Sequence, residues 1–174
     1  MKGTNRWVTV AVGTVLVAAV VASVVALAGC SGSSTGATVI KRTAPGFSGH
    51  LLDGTPVSTS DYQGKPLVLN FMATWFGPCM AEAPEIDQFY RENKNRVGFL
   101  AIAVNDTEDA LKSVLGEKGW VFPVMFDGDS AADAYGVTAI PTTVVIDTEG
   151  HIVKRTVGGT TAADLSLVID GLTR

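Results

Sequence analysis

The segment Phe71–Met80, FMATWFGPCM, holds the residues with the most recognisable chemistry in this 174-residue chain. Cys79 follows a Gly77-Pro78 turn, and a cysteine at position 76 would complete a Cys-x-x-Cys pair. Such a pair exchanges disulfides, because one thiolate attacks the substrate disulfide and the second thiol resolves the mixed disulfide. Position 76 is Phe, which has no nucleophile. We therefore predict that normal dithiol exchange is absent or severely impaired.

The composition is that of a folded domain without a nucleic-acid partner. Hydrophobic residues make up 47% of the chain and charged residues 17%, which supplies enough apolar side chains for a core. The formal net charge of −4 argues against a partner held through phosphates. Cys30 and Cys79 are the only cysteines, which excludes a disulfide framework and a cysteine-rich zinc site. We predict no cofactor and no metal.

The N-terminal residues predict export. Lys2 and Arg6 precede an uncharged run, Trp7–Gly29, which is the pattern of a signal peptide. The run is also long enough for an uncleaved transmembrane helix, so that alternative stays open. Leu27-Ala28-Gly29-Cys30 resembles a bacterial lipobox, and this resemblance implies cleavage before Cys30 and a lipid on that residue.

We therefore divide the chain into three parts. Residues 1–29 are a predicted lipoprotein signal peptide, residues 30–38 a flexible tether, and residues 39–174 one domain. Loss of Lys2 and Arg6 with the leader changes the formal net charge from −4 to −6. Because a lipidated Cys30 cannot form a disulfide, Cys79 would be the one free thiol of the mature protein. The predicted location is the bacterial cell envelope, on the extracytoplasmic face of the membrane.

The elements that must position Cys79 alternate between strands and helices. Apolar runs predict strands at 66–74, 97–104 and 121–126, and two further strands are predicted at 142–147 and 151–157, on either side of a turn signal. Helical spacing predicts helices at 78–93, 107–117, 130–135 and 161–172, the first kinked by Pro84. Turn signals at Asp53-Gly54 and Thr148-Glu149-Gly150 predict two β-hairpins. This order favours an α/β sandwich around a mixed sheet whose last two strands are antiparallel.

Three segments of the domain resemble the thioredoxin superfamily and, within it, the extracytoplasmic TlpA/ResA-like branch. Residues 44–75, APGFSGHLLDGTPVSTSDYQGKPLVLNFMATW, are similar to its N-terminal hairpin and first central strand. CMAEAPEID resembles its first active-site helix, with Glu82 and Pro84 in register. AYGVTAIPTTVVIDTEGHIV is similar to the segment that carries the cis-proline and the following hairpin. The resemblance implies a thioredoxin-like three-layer sandwich, with helices on both faces of the sheet and an N-terminal β-hairpin extension.

The resemblance also implies which residues form the site. Phe76 would replace the attacking cysteine, and Cys79 would stand in the resolving position, which is the more buried one. Pro141 would be the cis-proline, with the Ile140 backbone offering strand-like hydrogen bonds to a bound peptide. The residues beside the site would be Trp75, Gly77, Pro78 and Glu82. Trp75 and Phe76 together would suit an apolar contact surface, and they would equally suit a core.

Cys79 and Glu82 each keep two interpretations. Because burial raises the pKa of a thiol, Cys79 is either a small buried hydrophobe or a reactive monothiol. Asn70 stands where cytoplasmic thioredoxins have a buried Asp, and a neutral amide cannot serve as that proton acceptor. Glu82 either takes over the role of that buried Asp or is a solvated residue on the surface of the helix. We expect Glu82 to be solvated.

Two other constellations fail on their spacing. A peroxiredoxin-like site needs Pro and then Thr or Ser, seven and three residues before the cysteine, where Met72 and Phe76 stand. The three aspartates within residues 127–133 lack the ligand spacing of an EF-hand. The two histidines fall in the predicted hairpins, and we expect both to be exposed.

Two functions remain open at this point. The first is a membrane-tethered member of the thiol–disulfide oxidoreductase family. To be an enzyme it would need an unusual monothiol route, or Phe76 would have to be a variant of a W-C-G-P-C parent. The second is a redox-inactive peptide-binding, chaperone or assembly module on the same fold. Either would take extracytoplasmic proteins or peptides as partners, including thiol-containing ones, and would meet the membrane through the lipid on Cys30.

We predict that the chain is exported, cleaved before Cys30 and lipidated there, because a charged start, an apolar run and LAGC occur in this order. Metabolic labelling with a fatty-acid analogue should mark the wild-type protein and leave a Cys30→Ala variant unlabelled. Label on the Cys30→Ala variant would contradict the prediction, and an intact mass that includes residues 1–29 would favour the signal anchor.

Overall fold

The structure, a computed structural model, describes residues 42–173. The predicted signal peptide (1–29), the tether (30–38) and the lipid site at Cys30 lie outside these residues. Within the described part, no helix has both the length and the apolar character needed to cross a membrane.

Residues 42–173 contain eight strands and four helices. The strands are β1 (Arg42–Thr43), β2 (Ser48–His50), β3 (Pro56–Ser58), β4 (Leu67–Met72), β5 (Gly98–Ala103), β6 (Val124–Met125), β7 (Thr142–Ile146) and β8 (His151–Val157). The helices are α1 (Gly77–Asn93), α2 (Glu108–Lys118), α3 (Asp129–Ala134) and α4 (Ala162–Leu172), and a 3-10 turn spans Thr59–Tyr62.

The larger sheet is mixed and has six strands in the order β1-β8-β7-β4-β5-β6. β4, β5 and β6 are parallel, because helices α1 and α2 carry the chain back between them. β7 is antiparallel to both β4 and β8, and the turn between β7 and β8 uses Gly150 at φ 82°. The sheet therefore brings the carboxyl end of β4 beside the amino end of β7.

Both faces of the central strands are covered, which is why all residues of β4 and β5 are buried. One face packs against α1, α2 and α4 and includes Val68, Cys79, Phe89, Leu111 and Leu165. The other face packs against α3, the β2–β3 hairpin and the 3-10 turn and includes Phe47, Val57, Leu69, Phe71 and Tyr135. The α/β sandwich with helices on both faces of a mixed sheet is confirmed.

The predicted N-terminal hairpin forms as β2 and β3 and covers the edge of the large sheet. Leu51, just after β2, makes an antiparallel bridge with Met125 of β6. The N–H of Leu52 donates to the carbonyl of Val124 at 3.2 Å, and the N–H of Phe126 donates to that of His50 at 3.3 Å. A covered edge strand is protected from pairing with other chains.

The structure corrects some element boundaries. The strand predicted at 121–126 is reduced to Val124–Met125, because Pro123 has no N–H for a strand ladder. The short β1 and the 3-10 turn were not predicted from the sequence. β1 forms by pairing with His151 and Ile152 of β8. This is a long-range contact, and no local sequence pattern indicates it. Helix α1 continues through Pro84 to Asn93.

Candidate functional site

The site lies where β4 ends and α1 begins. The loop between them is fixed by Asp106, which follows β5 in the chain. The Asp106 carboxylate accepts hydrogen bonds from the backbone N–H of Thr74 (2.5 Å) and from its hydroxyl (2.8 Å). It also accepts from the N–H of Thr107 at 2.8 Å, so two neighbouring loops share one anion. The residues that follow, Trp75 and Phe76, therefore start from a fixed backbone.

Phe76 is the N-cap residue of α1, with extended φ and ψ of −101° and 112° and no side-chain hydrogen bond to the helix. An N-cap side chain normally accepts a hydrogen bond from one of the first free N–H groups, which a phenyl ring cannot do. The ring is half-buried, packs against the core below and contacts Trp75 edge-on at a centroid distance of 5.8 Å. Gly77 and Pro78 form the exposed first turn.

Cys79 is buried in the first turn of α1 and is only 2% exposed. Its N–H donates to the Phe76 carbonyl at 3.0 Å, which closes that turn. Burial raises the pKa of the Cys79 thiol, the negative charge of Glu82 adds to the increase, and a hydrogen bond to the Ala73 backbone opposes it. Within residues 42–173 Cys79 is the one cysteine, and it is not in a disulfide.

Glu82 is buried, at 5% exposure, so the expectation of a solvated helix residue was wrong. Its carboxylate accepts from the Asn70 side-chain amide at 3.3 Å and from the Thr160 N–H at 2.9 Å. The same Asn70 amide donates to the Thr143 hydroxyl at 3.0 Å. Burial raises the pKa of Glu82, although both hydrogen bonds act to lower it. The sequence did not indicate Thr143 or Thr160 as part of this hydrogen-bond network. Both are distant in the chain, and they reach Asn70 and Glu82 only when β7 and the segment before α4 fold against β4 and α1.

Pro141 and Ile140 lie at the start of β7, beside the end of β4. The peptide bond between them is cis. The Pro141 carbonyl accepts from the N–H of Gly158 at 2.8 Å, and the Thr142 hydroxyl donates to the Ala139 carbonyl at 2.7 Å. Ile140 is half-buried and packs against both layers of the core. This segment therefore has a fixed backbone at the same end of the sheet as Phe76.

Trp75 is exposed to 60% although its orientation is fixed. Its indole N–H donates to the Asn105 carbonyl at 2.9 Å. Asn105 has a left-handed backbone with φ 50°, and its own N–H donates to Asp129 at 2.8 Å. Asn is one of the few residues that adopt this conformation readily. Asn105 and Asp129 thus position Trp75, a role that no motif in the sequence indicated.

The three aspartates of residues 127–133 do not meet at one point. Asp129 holds the Asn105 backbone, and Asp127 accepts from the backbone N–H of His50 (3.0 Å) and contacts its ring nitrogen (3.1 Å). The expected exposure of the histidines is correct for His50, whereas His151 is partly buried. His151 is the first residue of β8, and its Nδ1 is 3.5 Å from Asp147 and 3.4 Å from Glu149.

Comparison with known proteins agrees with this geometry. The model of the Redoxin family matches residues 40–168. The thiol-disulfide oxidoreductase ResA of Bacillus thuringiensis (strain Al Hakam) is 34% identical over 128 residues, which cover 72% of this chain and 74% of that protein.

Two solved structures are also similar. One is a thiol:disulfide interchange protein of the thioredoxin family from Chlorobium tepidum TLS, with 32% identity and a TM-score of 0.70 over 76% of this chain and 96% of that one. The other is the exposed lipoprotein thioredoxin of Streptococcus pneumoniae strain TIGR4, with 26% identity and a TM-score of 0.66 over 74% of this chain and all (100%) of that one.

We predict that Cys79 in the folded protein reacts slowly with alkylating reagents, because burial blocks access and raises the pKa of the thiol. In a Cys30→Ser background, labelling by iodoacetamide at neutral pH should be at least about tenfold slower than in denaturant. A Phe76→Ala variant removes the ring that packs against the core cluster around Cys79, and it should label faster. Rapid and complete labelling of the protein with Phe76 in place, without denaturant, would contradict the prediction and support a monothiol enzyme.

The buried Glu82 predicts a pH dependence of folding stability. Its pKa in the folded state lies above the ordinary value of 4.5, so the folded state binds the proton more tightly than the unfolded state does. The stabilisation that Glu82 contributes is therefore fully present below its pKa in the unfolded state. It is lost as the pH rises through its pKa in the folded state.

Urea unfolding of the wild type and of Glu82→Gln between pH 4 and pH 8 measures this contribution. The free energy of unfolding of the wild type, relative to the variant, should decrease as the pH rises. In the variant the Asn70 amide can rotate by 180° and accept from the new amide, so the network stays closed. A difference that does not change with pH would contradict the prediction.

Proposed function

This chain belongs to the Redoxin family and to the TlpA/ResA-like thiol–disulfide oxidoreductases of the thioredoxin superfamily, and we propose that it is a tethered, extracytoplasmic member that lacks dithiol exchange. One observation carries the proposal: the N-cap residue of α1 is Phe76, and the sulfur one turn further on is buried. The scaffold of the reaction is present, and the attacking group is not.

The electron balance of the reaction explains why one thiol is not enough. Reduction of a substrate disulfide takes two electrons, and the dithiol route takes both from one pair of protein thiols. The first thiolate forms a mixed disulfide and releases one substrate thiol; the second displaces the other and leaves the protein with an intramolecular disulfide. With Phe76 in place the first step has no thiolate, and Cys79 has no partner sulfur with which to finish.

Cys79 is a poor substitute for the attacking thiol. Even an unperturbed thiol with a pKa of about 8.5 is only a few per cent thiolate at neutral pH, and burial raises the pKa of Cys79 further. Glu82, one turn deeper, would add negative charge beside any thiolate formed there. A mixed disulfide at Cys79 would also stay in place until an external thiol reduced it.

The tether is the second part of the proposal. The charged start, the apolar run and LAGC support a lipid on Cys30. Similarity to an exposed lipoprotein thioredoxin of Streptococcus pneumoniae, which spans the whole of that chain, supports the same location. Residues 30–38 would then separate the domain from the membrane by a short flexible segment.

A redox-inactive peptide-binding module is the second candidate function, and one observation favours it. Trp75 is exposed, fixed in orientation and in contact with Phe76, at the same end of the sheet as the Ile140–Pro141 segment. Aromatic side chains that are already ordered bind a partner at a lower cost in conformational entropy. Replacement of a cysteine by Phe enlarges the apolar surface at this position.

We predict that Phe76→Cys restores dithiol exchange while the protein as it stands shows little. A thiol at the N-cap of α1 would meet free N–H groups and the positive end of the helix dipole, which stabilise a thiolate by about 0.3–1 kcal/mol. That lowers its pKa by about 0.2–0.7 of a unit, at ~1.36 kcal/mol per unit. Cys79 would lie one turn away and could close the disulfide. The measurement is the rate of insulin disulfide reduction with a dithiol reductant as electron donor.

Two matched variants separate the thiol from the removal of the ring. Phe76→Ser removes the ring without adding sulfur and should stay inactive, and the double variant Phe76→Cys, Cys79→Ser should lose turnover. Equal rates for the unmodified protein and Phe76→Cys would contradict the proposal. If the rate of Phe76→Cys equals that of Phe76→Ser, the site has lost more than one thiol, and the binding module becomes the better description.

A further inference from the structure

Three acidic residues lie at the start of α2 and in the loop before it, which contacts Trp75 and Thr74. Asp106, which binds the Thr74 backbone, is followed by Glu108 and Asp109 in the first turn of α2. Asn105, whose carbonyl binds the Trp75 indole, directly precedes them. We call the surface formed by Trp75, Phe76, Asp106, Glu108 and Asp109 the aromatic–acidic face.

Cations are scarce at this end of the domain. The sequence contains no Lys or Arg in the segments that meet there, which are 73–78, 104–109, 126–129, 136–141 and 158–161. Lys112, one turn further along α2, forms an ion pair with Glu108. Asp109 has its side chain at the exposed start of the helix, and Asp129 adds a further carboxylate behind Asn105. The formal charge of the aromatic–acidic face is therefore negative.

Trp75 can offer a partner only its ring. Because the indole N–H is already bound to Asn105, the side chain has no donor left for a ligand. The ring face remains exposed, and the negative face of an aromatic ring attracts ammonium and guanidinium groups. Its fixed orientation means that little conformational entropy is lost when a partner binds.

We propose that the aromatic–acidic face binds a basic polypeptide segment, with a Lys or Arg side chain over Trp75 and an apolar side chain against Phe76. The proposal names the partner class of the site discussed above, and it rests on the proposed function only in treating that site as a protein-binding surface. Carboxylates beside the ring favour a cationic partner and repel an acidic one. They would also repel an anionic lipid surface, which favours a protein partner over a membrane.

Peptide binding tests the proposal directly. The full-length protein, purified in a neutral detergent, is titrated into three labelled peptides with one shared apolar core, flanked by Lys, by Ser or by Glu. Fluorescence anisotropy at low and at high NaCl gives the affinities. The Lys peptide should bind at least about tenfold more tightly than the Ser peptide, and the difference should shrink at high salt. Equal affinities for the Lys and Ser peptides would overturn the proposal.

Variants separate the face from the overall charge of the protein. Trp75→Ala should lower the affinity for the Lys peptide by about five- to tenfold. Trp75→Phe keeps a ring and should keep most of the affinity. Asp109→Asn should lower the affinity for the Lys peptide by about two- to threefold. Glu117→Gln makes the same charge change at the far end of the same helix and should have almost no effect.

Equal effects of Asp109→Asn and Glu117→Gln would mean that only net charge matters and would overturn the inference. Thermal unfolding of each variant checks that a loss of binding is not a loss of fold. Turnover by unmodified protein would refute the absence of dithiol exchange and leave the peptide selectivity intact. No selectivity in a protein without turnover would refute this inference alone.

Discussion

The carboxylate of Glu82 holds the site together from below. It receives hydrogen bonds from Asn70 of β4 and from the backbone of Thr160 before α4, and Asn70 reaches on to Thr143 of β7. One buried carboxyl group therefore connects α1, two central strands and the start of the last helix. A buried polar group that loses its partners costs roughly 1–3 kcal/mol, and more when it is charged. The position of α1, and with it of Cys79 one turn above, depends on this network remaining closed.

This arrangement separates the scaffold from the chemistry. Position 76 lies at the surface end of α1 and takes no part in the Glu82 network, so its side chain can change without disturbing the packing below. A ring there packs against Trp75 and against the core cluster that includes Cys79, and it leaves the turn of Gly77 and Pro78 as it is. The fold therefore tolerates the loss of the attacking thiol, as expected when function resides in a site carried by a fold.

The sequence predicted the parts of the fold that local patterns determine. The apolar runs of β4 and β5 and the alternation of strands and helices were sufficient for the mixed sandwich. Glu82 was misplaced because a charged residue on a helix is usually solvated, and its buried partners come from residues 12 and 78 positions away. Asn105 was missed for a similar reason, since its role depends on a left-handed backbone and a contact 30 residues distant. Long-range hydrogen bonds, more than hydrophobic pattern, define this site.

Two electric fields of opposite sign meet at residue 76. The free N–H groups at the start of α1 favour an anion there by about 0.3–1 kcal/mol, and they act within the first turn. The carboxylates of Glu108 and Asp109 disfavour an anion, but two unit charges about 10 Å apart in water interact by only roughly 0.4 kcal/mol before screening by salt. The nearer field should therefore decide the protonation of a thiol placed at this position. The carboxylates act instead on charges that approach from solvent, where no helix terminus competes. The same few residues can in this way repel acidic chains from the site without preventing a thiolate inside it.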